Sequence, residues 1–131
     1  DNEAGMTVSV LIVEDEPNIV LSLEFLMENA GYEVRVARDG RSALEEVTSN
    51  PPNIILLDVM LPDQDGFSVC ELIRTNPDWQ NVRILMLTAK GRDTDREKGL
   101  ALGADAYITK PFSTRDLVEK VKIMASGLAV N

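Results

Sequence analysis

The sequence predicts an α/β fold: an open, parallel, five-stranded sheet wound by helices on both faces. Three observations predict it. Apolar, β-rich runs alternate with helix-period runs five times along the 131 residues, the pattern of repeated βα units. Two of the strand-like runs, "VSVLIV" (Val8 to Val13) and "NIILLDV" (Asn53 to Val59), are apolar almost throughout, as strands buried on both sides must be. No internal repeat, low-complexity tract or long linker breaks the alternation, and right-handed crossovers leave few topologies for such a sheet. A single domain of this length buries roughly two thirds of the surface its unfolded chain exposes.

Each element has its own signal. "EVRVA" (Glu33 to Ala37) alternates more than its neighbours and belongs nearer an edge; "VRILMLTA" (Val82 to Ala89) and "DAYIT" (Asp105 to Thr109) supply the fourth and fifth strands. Pro17 suits a first helical turn, after which Val20, Leu23, Leu26 and Met27 share a face, and Gly31 can cap the end. The second helix, near Arg41 to Thr48, follows Asp39-Gly40 and stops before Pro51-Pro52, and the third, near Phe67 to Arg74, follows Asp65-Gly66. Thr94 and Glu97 are spaced as a capping box for a fourth helix that starts near Asp93 and ends at Leu102-Gly103; Ser113 and Asp116 are spaced similarly for the fifth, with Leu117, Val121 and Met124 on one stripe.

Composition narrows the chemistry. The formal charge of −9 counts against a basic surface for nucleic acid. There is no histidine and only one cysteine, Cys70, so histidine-based acid–base catalysis, a Cys/His triad and a zinc cage are excluded. Cys70 falls on the apolar side of a helix with Phe67 and Ile73, which reads as core packing and suits a reducing compartment. No apolar run approaches the roughly 20 residues of a membrane span, and the N-terminus has no signal-peptide plan; the expectation is a soluble, cytoplasmic protein. "DNEAG" ahead of Met6 reads as an appended remnant, residues 6–126 as the domain and residues 127–131 as a tail.

Ligands of such sheets sit beyond the carboxyl ends of the strands. There strand one runs into Glu14-Asp15, strand three ends in Asp58, strand four in Thr88-Ala89, and strand five is followed by Lys110-Pro111. Any one of these alone reads as a cap, a turn or a surface lysine; their joint occurrence at one edge carries the functional reading. Carboxylates brought this close repel, and either a proton or a cation must relieve them. Hard oxygen donors, with only one or two direct carboxylates, suit Mg²⁺. A carboxylate is also a nucleophile toward phosphorus, forming an aspartyl phosphate, and a metal, a lysine and a hydroxyl can share the charge on the transferred oxygens. Lys110 and Thr88 supply the last two.

In this arrangement "LIVEDE", "LLDVMLPDQDG", "LTAKG" and "LGADAYITKPF", in that order on those strands, resemble the receiver domain of two-component response regulators over essentially all of Met6 to Met124. The resemblance implies a doubly wound (βα)5, flavodoxin-like sheet with strand order 2-1-3-4-5. It implies Asp58 as phosphoacceptor, a Mg²⁺ site made by Glu14, Asp15, Asp58 and the backbone carbonyl of Met60, and a cis Lys110-Pro111 bond that holds the ammonium at the site. It further implies that Thr88 contacts the phosphoryl group and that Tyr107 turns inward when Thr88 moves. The plain reading of Tyr107, a half-buried strand aromatic with its hydroxyl at the surface, stands beside that one. The phosphodonor is implied to be a histidine kinase or a phosphotransfer protein.

Two further readings follow from the resemblance, the first from two positions, Met60 and Lys90, that vary within that family. Met60 and Lys90 flank the path of attacking water and neither orients it, which implies slow to moderate self-dephosphorylation. The fourth helix, fifth strand and fifth helix also resemble the dimerising face of receivers that carry winged-helix DNA-binding domains, with Lys98, Asp105, Arg115 and Lys120 at charged positions of that pattern, although Ala106 stands where a second acid is usual. A solvated charged face is the competing interpretation. Other functions fit less of the sequence. A haloacid dehalogenase type of phosphohydrolase wants a second acid where Met60 stands. "EDEPN" would repel the phosphate of a flavin, and a constitutive interaction module has no need of the full acid, threonine and lysine set.

Overall fold

The structure, a computed structural model, describes residues 7–89 and 93–129. Residues 1–6, which hold the expected remnant, and Lys90 lie outside the described residues. Five parallel strands, β1 (Ser9–Val13), β2 (Glu33–Ala37), β3 (Ile54–Asp58), β4 (Arg83–Ala89) and β5 (Ala106–Lys110), form one sheet in the order β2-β1-β3-β4-β5. Helices α1 (Pro17–Asn29), α2 (Gly40–Ser49), α3 (Gly66–Thr75), α4 (Asp93–Ala101) and α5 (Thr114–Ala129) connect and flank them. The expected doubly wound topology is the one observed, with β2 at an edge.

Unbroken apolar runs are explained by two cores, one on each face. Leu11, Val13, Ile55, Leu57, Ile84 and Met86 point into a cluster with Val47 of α2 and Phe67, Cys70 and Ile73 of α3. The intervening Val10, Ile12, Ile54, Leu56, Leu85 and Leu87 point the other way, onto Leu23 and Met27 of α1 and Leu117 and Val121 of α5. Every second residue serves each face, and all of these side chains are essentially inaccessible to solvent. Cys70 is one of them, and burial pushes its thiol up to about 11, so it packs and does not react.

Helix ends follow local chemistry. Glu16 caps α1 by accepting from Ile19 N–H. At the other end Gly31, at φ 95°, donates to Glu28 while Tyr32 donates to Met27, which closes a Schellman motif. Ser113 caps α5 through Asp116 N–H as predicted. The Thr94/Glu97 box is not how α4 begins: the helix already includes Asp93, so Thr94 lies inside it, and Asp93 and Asp95 put negative charge on its first turn. A short 3₁₀ turn, Pro77–Trp79, was not anticipated; Asn76 caps it through Asp78 N–H.

Helix α4 differs from the others in how it is held. Only Asp95 and Gly99 are buried along it, and Leu100 is exposed. A Cβ at Gly99 would stand 3.3 Å from Met86, so glycine lets the helix lie close to β4. Polar contacts help to hold it, among them Arg96 on Tyr107 and Lys98 over Phe67.

Candidate functional site

Parallel register decides which residues meet. Val13 is level with Leu57, so Glu14 leaves β1 beside Asp58, and Asp58 is level with Leu87 of β4. One strand further, Ala89 is level with Lys110. Side chains 96 residues apart in sequence thus converge: Lys110 Nζ lies 2.8 Å from Glu14 Oε1 and 3.1 Å from Asp58 Oδ1. The Lys110-Pro111 peptide is cis, as expected.

Both acids are buried, Glu14 to 1% and Asp58 to 5% exposure. Burial, and then the neighbouring Glu14 charge, raise the Asp58 carboxyl above the usual carboxylate range, with Lys110 and the Met60 backbone N–H pulling the other way. For Lys110 burial works against the charged form, but Glu14 and Asp58 outweigh it and the net shift is upward. The lysine is therefore a fixed cation between two carboxylates. Glu14 Oε2 accepts from Glu16 N–H at 3.1 Å, whereas Oε1, though in ion-pair range of Lys110, has no well-directed hydrogen bond.

The remaining predicted site residues fall around this group. Thr88 is buried at the end of β4, paired with Thr109. Asp15 is exposed next to Glu14. The Met60 side chain is 70% exposed and borders, with Ile19, Pro111 and Phe112, a cavity of about 430 Å³ that opens on Asp58 and Lys110. Asp95, on the first turn of α4, lines the same cavity and is buried. The sequence does not single it out, since an acid in the first turn of a helix is commonplace.

The residues fit Mg²⁺ on their own chemistry. Among the described residues no three acidic side chains converge into a preformed metal cage. Mg²⁺ does not need one, since it keeps several waters and takes one or two carboxylates. Glu14 Oε1, buried and without a directed donor, and the acid pair Glu14 and Asp58 are a hard-oxygen set of that kind.

Tyr107 is half-buried against the α2/α3 core. Arg96 of α4 donates to its hydroxyl at 2.8 Å and lies 4.9 Å from its ring centre. Of the four charged positions assigned to a dimerising face, Arg115 and Lys120 are exposed on α5. The other two have partners within the chain. Asp105 accepts from Arg74 at 2.7 Å and from Ile84 N–H at 2.8 Å, and the Lys98 ammonium lies 4.7 Å from the Phe67 ring centre.

Comparison with known proteins decides the family: the response regulator receiver domain matches residues 10–122. The chain belongs to that family. A Chloroflexus aurantiacus J-10-fl protein assigned as a response regulator is 37% identical, with a TM-score of 0.89 over 92% of this chain and 99% of its own. The Vibrio cholerae chemotaxis response regulator CheY4 is 30% identical, with a TM-score of 0.85 over 91% of this chain and 99% of its own. A CheY-like receiver domain protein of Methanospirillum hungatei JF-1 is also 30% identical, at 0.86 over 96% and 100%. This receiver domain therefore belongs to a class of signalling modules that work with histidine kinases and phosphotransfer proteins and generally bind Mg²⁺ at an acidic pocket. Among its described residues no helix is long and apolar enough to cross a membrane.

Proposed function

We propose that this receiver domain is a phosphorylation-activated switch that accepts a phosphoryl group on Asp58 from a histidine kinase or histidine phosphotransfer protein. The observation that carries the reading is the setting of Asp58, a buried carboxylate that faces an open cavity with an ammonium 3.1 Å away. Glu14, Asp15, Asp58 and the Met60 carbonyl would hold Mg²⁺, which supplies positive charge to the oxygens of the transferred group. An Asp58 carboxylate oxygen forms the new O–P bond as the donor's N–P bond breaks, and Lys110 and the Thr88 hydroxyl donate to the phosphoryl oxygens. No separate substrate is turned over, and the module acts in the cytoplasm.

The state is read through Thr88 and Tyr107. An Asp58 phosphoryl group that draws Thr88 toward it favours an inward Tyr107, and the α4–β5–α5 face changes with it, a population shift between two arrangements. Weak apolar anchoring of α4 supports this, since elements with few buried contacts reorganise at low cost. A phosphorylation-dependent homodimer through the same face is part of the proposal; Arg115 and Lys120 are open for it, and Asp105 would have to share or leave Arg74.

Amide chemical shifts with Mg²⁺ and beryllofluoride test the relay. Shifts at Thr88, Tyr107 and along α4 and α5 are expected. Changes confined to the surroundings of Asp58 would remove the relay and leave only an acceptor.

A further inference from the structure

The four N–H groups that open α2 all have acceptors, and half of these come from a distant part of the chain. Ala43 donates to the Asp39 carbonyl at 3.1 Å and Ser42 to the Asp39 side chain at 2.7 Å, which is an ordinary local cap. Gly40 and Arg41 donate instead to Oδ1 and Oδ2 of Asp63, at 2.8 Å and 2.9 Å. Asp63 belongs to the loop between β3 and α3, 22 residues beyond Arg41. One carboxylate closes the helix and ties the loop to it.

The same loop is fastened at its base. Gly66 N–H donates to Val59 at 2.7 Å, and Met60 and Asp65 face each other in an antiparallel bridge. A Cβ on Gly66 would overlap the Asp58 carbonyl oxygen, so the base is packed against the backbone of the phosphoacceptor itself. Beside the tip, Gln64 covers Gly40, where an added Cβ would come within 2.5 Å of its Cγ. Met60, whose backbone N–H favours the charged form of the Asp58 carboxyl, is itself part of the fastened base.

We propose that Asp63 is a positioning residue for the Asp58 site: by binding the first turn of α2 it fixes the loop that presents the Met60 backbone to the phosphoacceptor and its cation. The identity of that cation rests on the function proposed above. Asp63 touches no reacting atom and acts through the loop backbone.

Mg²⁺ titration by calorimetry and amide hydrogen exchange on Asp63→Ala, Asp63→Asn and Asp39→Ala test the proposal. Asp39→Ala removes the local cap of the same helical turn without touching the loop. Asp63→Ala is expected to weaken Mg²⁺ binding about tenfold, in line with losses at supporting residues of metal sites, and to speed exchange across residues 59–65. Asp63→Asn keeps one acceptor oxygen and recovers part of both, while Asp39→Ala loosens α2 and leaves Mg²⁺ affinity unchanged. Equal losses of affinity in Asp63→Ala and Asp39→Ala, or no change in affinity and exchange in Asp63→Ala, overturn the proposal. A wild-type protein that takes up no Mg²⁺ overturns the functional reading instead, and exchange across residues 59–65 then decides the tie to α2 by itself.

Discussion

Lys110 Nζ lies nearer to Glu14 than to Asp58, 2.8 Å against 3.1 Å. The Lys110 ammonium is thus shared between the acid that neighbours the phosphoacceptor and the phosphoacceptor itself. Two buried carboxylates beside one ammonium leave a net negative charge, and this residual repulsion governs how the protein responds to pH, to mutation and to divalent cations.

The pH response follows from Asp58. Its folded-state pKa is raised, so the folded protein holds the proton more tightly than the unfolded chain. Its contribution to stability is therefore full below the unfolded pKa of about 3.9 and is lost as pH rises through the folded value. Asp58→Asn removes that loss. The variant is expected to melt a few degrees above the wild type at pH 7 without metal, with the gap closing toward pH 4. Mg²⁺ should narrow the gap from the other side, stabilising the wild type by about 1.4 kcal/mol at ten times its dissociation constant. Thermal melts over this range, with and without Mg²⁺, check both; a variant less stable than the wild type at pH 7 would contradict the assignment.

Lys110→Ala has the opposite effect. It leaves Glu14 and Asp58 buried without their counter-ion, and breaking a buried pair costs about 3 kcal/mol or more. Urea unfolding at pH 7 should show that loss, and added Mg²⁺ should restore part of it. Phosphorylation should slow as well, because a donor to the phosphoryl oxygens is gone.

Sequence reasoning reached the fold and the centre of the site because both depend on periodic signals. Unbroken apolar runs gave β1 and β3, the alternation in "EVRVA" put β2 at an edge, and parallel register made Glu14, Asp58 and Lys110 neighbours once the strand ends were known. The start of α4 near Asp93 was legible, but its cap was misjudged, because Thr94 and Asp93 both suit a first turn and the spacing of Thr94 and Glu97 does not say which residue stands outside it. Side-chain contacts away from the strand ends were not legible. Nothing in the spacing of Asp63 shows that it closes α2, nor that Arg74 of α3 takes Asp105, because a side chain's choice among distant partners leaves no period in the chain.

Arg96 is expected to bias the relay. Its hydrogen bond and ring contact hold Tyr107 in the arrangement described here, and losing them releases about 1–2 kcal/mol. Arg96→Ala should shift the balance toward the inward tyrosine by roughly five- to thirtyfold. Fluorotyrosine NMR at position 107, without phosphodonor, reads that population directly; an unchanged spectrum would remove Arg96 from the switch.

Dephosphorylation is expected to be slow to moderate. The exposed Met60 side chain borders the cavity above Asp58 and has no group to orient water. The phosphorylated protein should decay over minutes or longer, and Met60→Asn should shorten that lifetime. A wild-type lifetime of seconds at room temperature would contradict the reading.

The central claim is that Asp58 accepts a phosphoryl group with the help of Mg²⁺. Intact mass after incubation with acetyl phosphate, with and without Mg²⁺, beside Asp58→Asn, tests it most directly. The account predicts one adduct of about 80 Da, the mass of a single phosphoryl modification, that requires Mg²⁺ and is absent from the variant. An adduct that persists in Asp58→Asn, or none in the wild type with Mg²⁺ present, would contradict it.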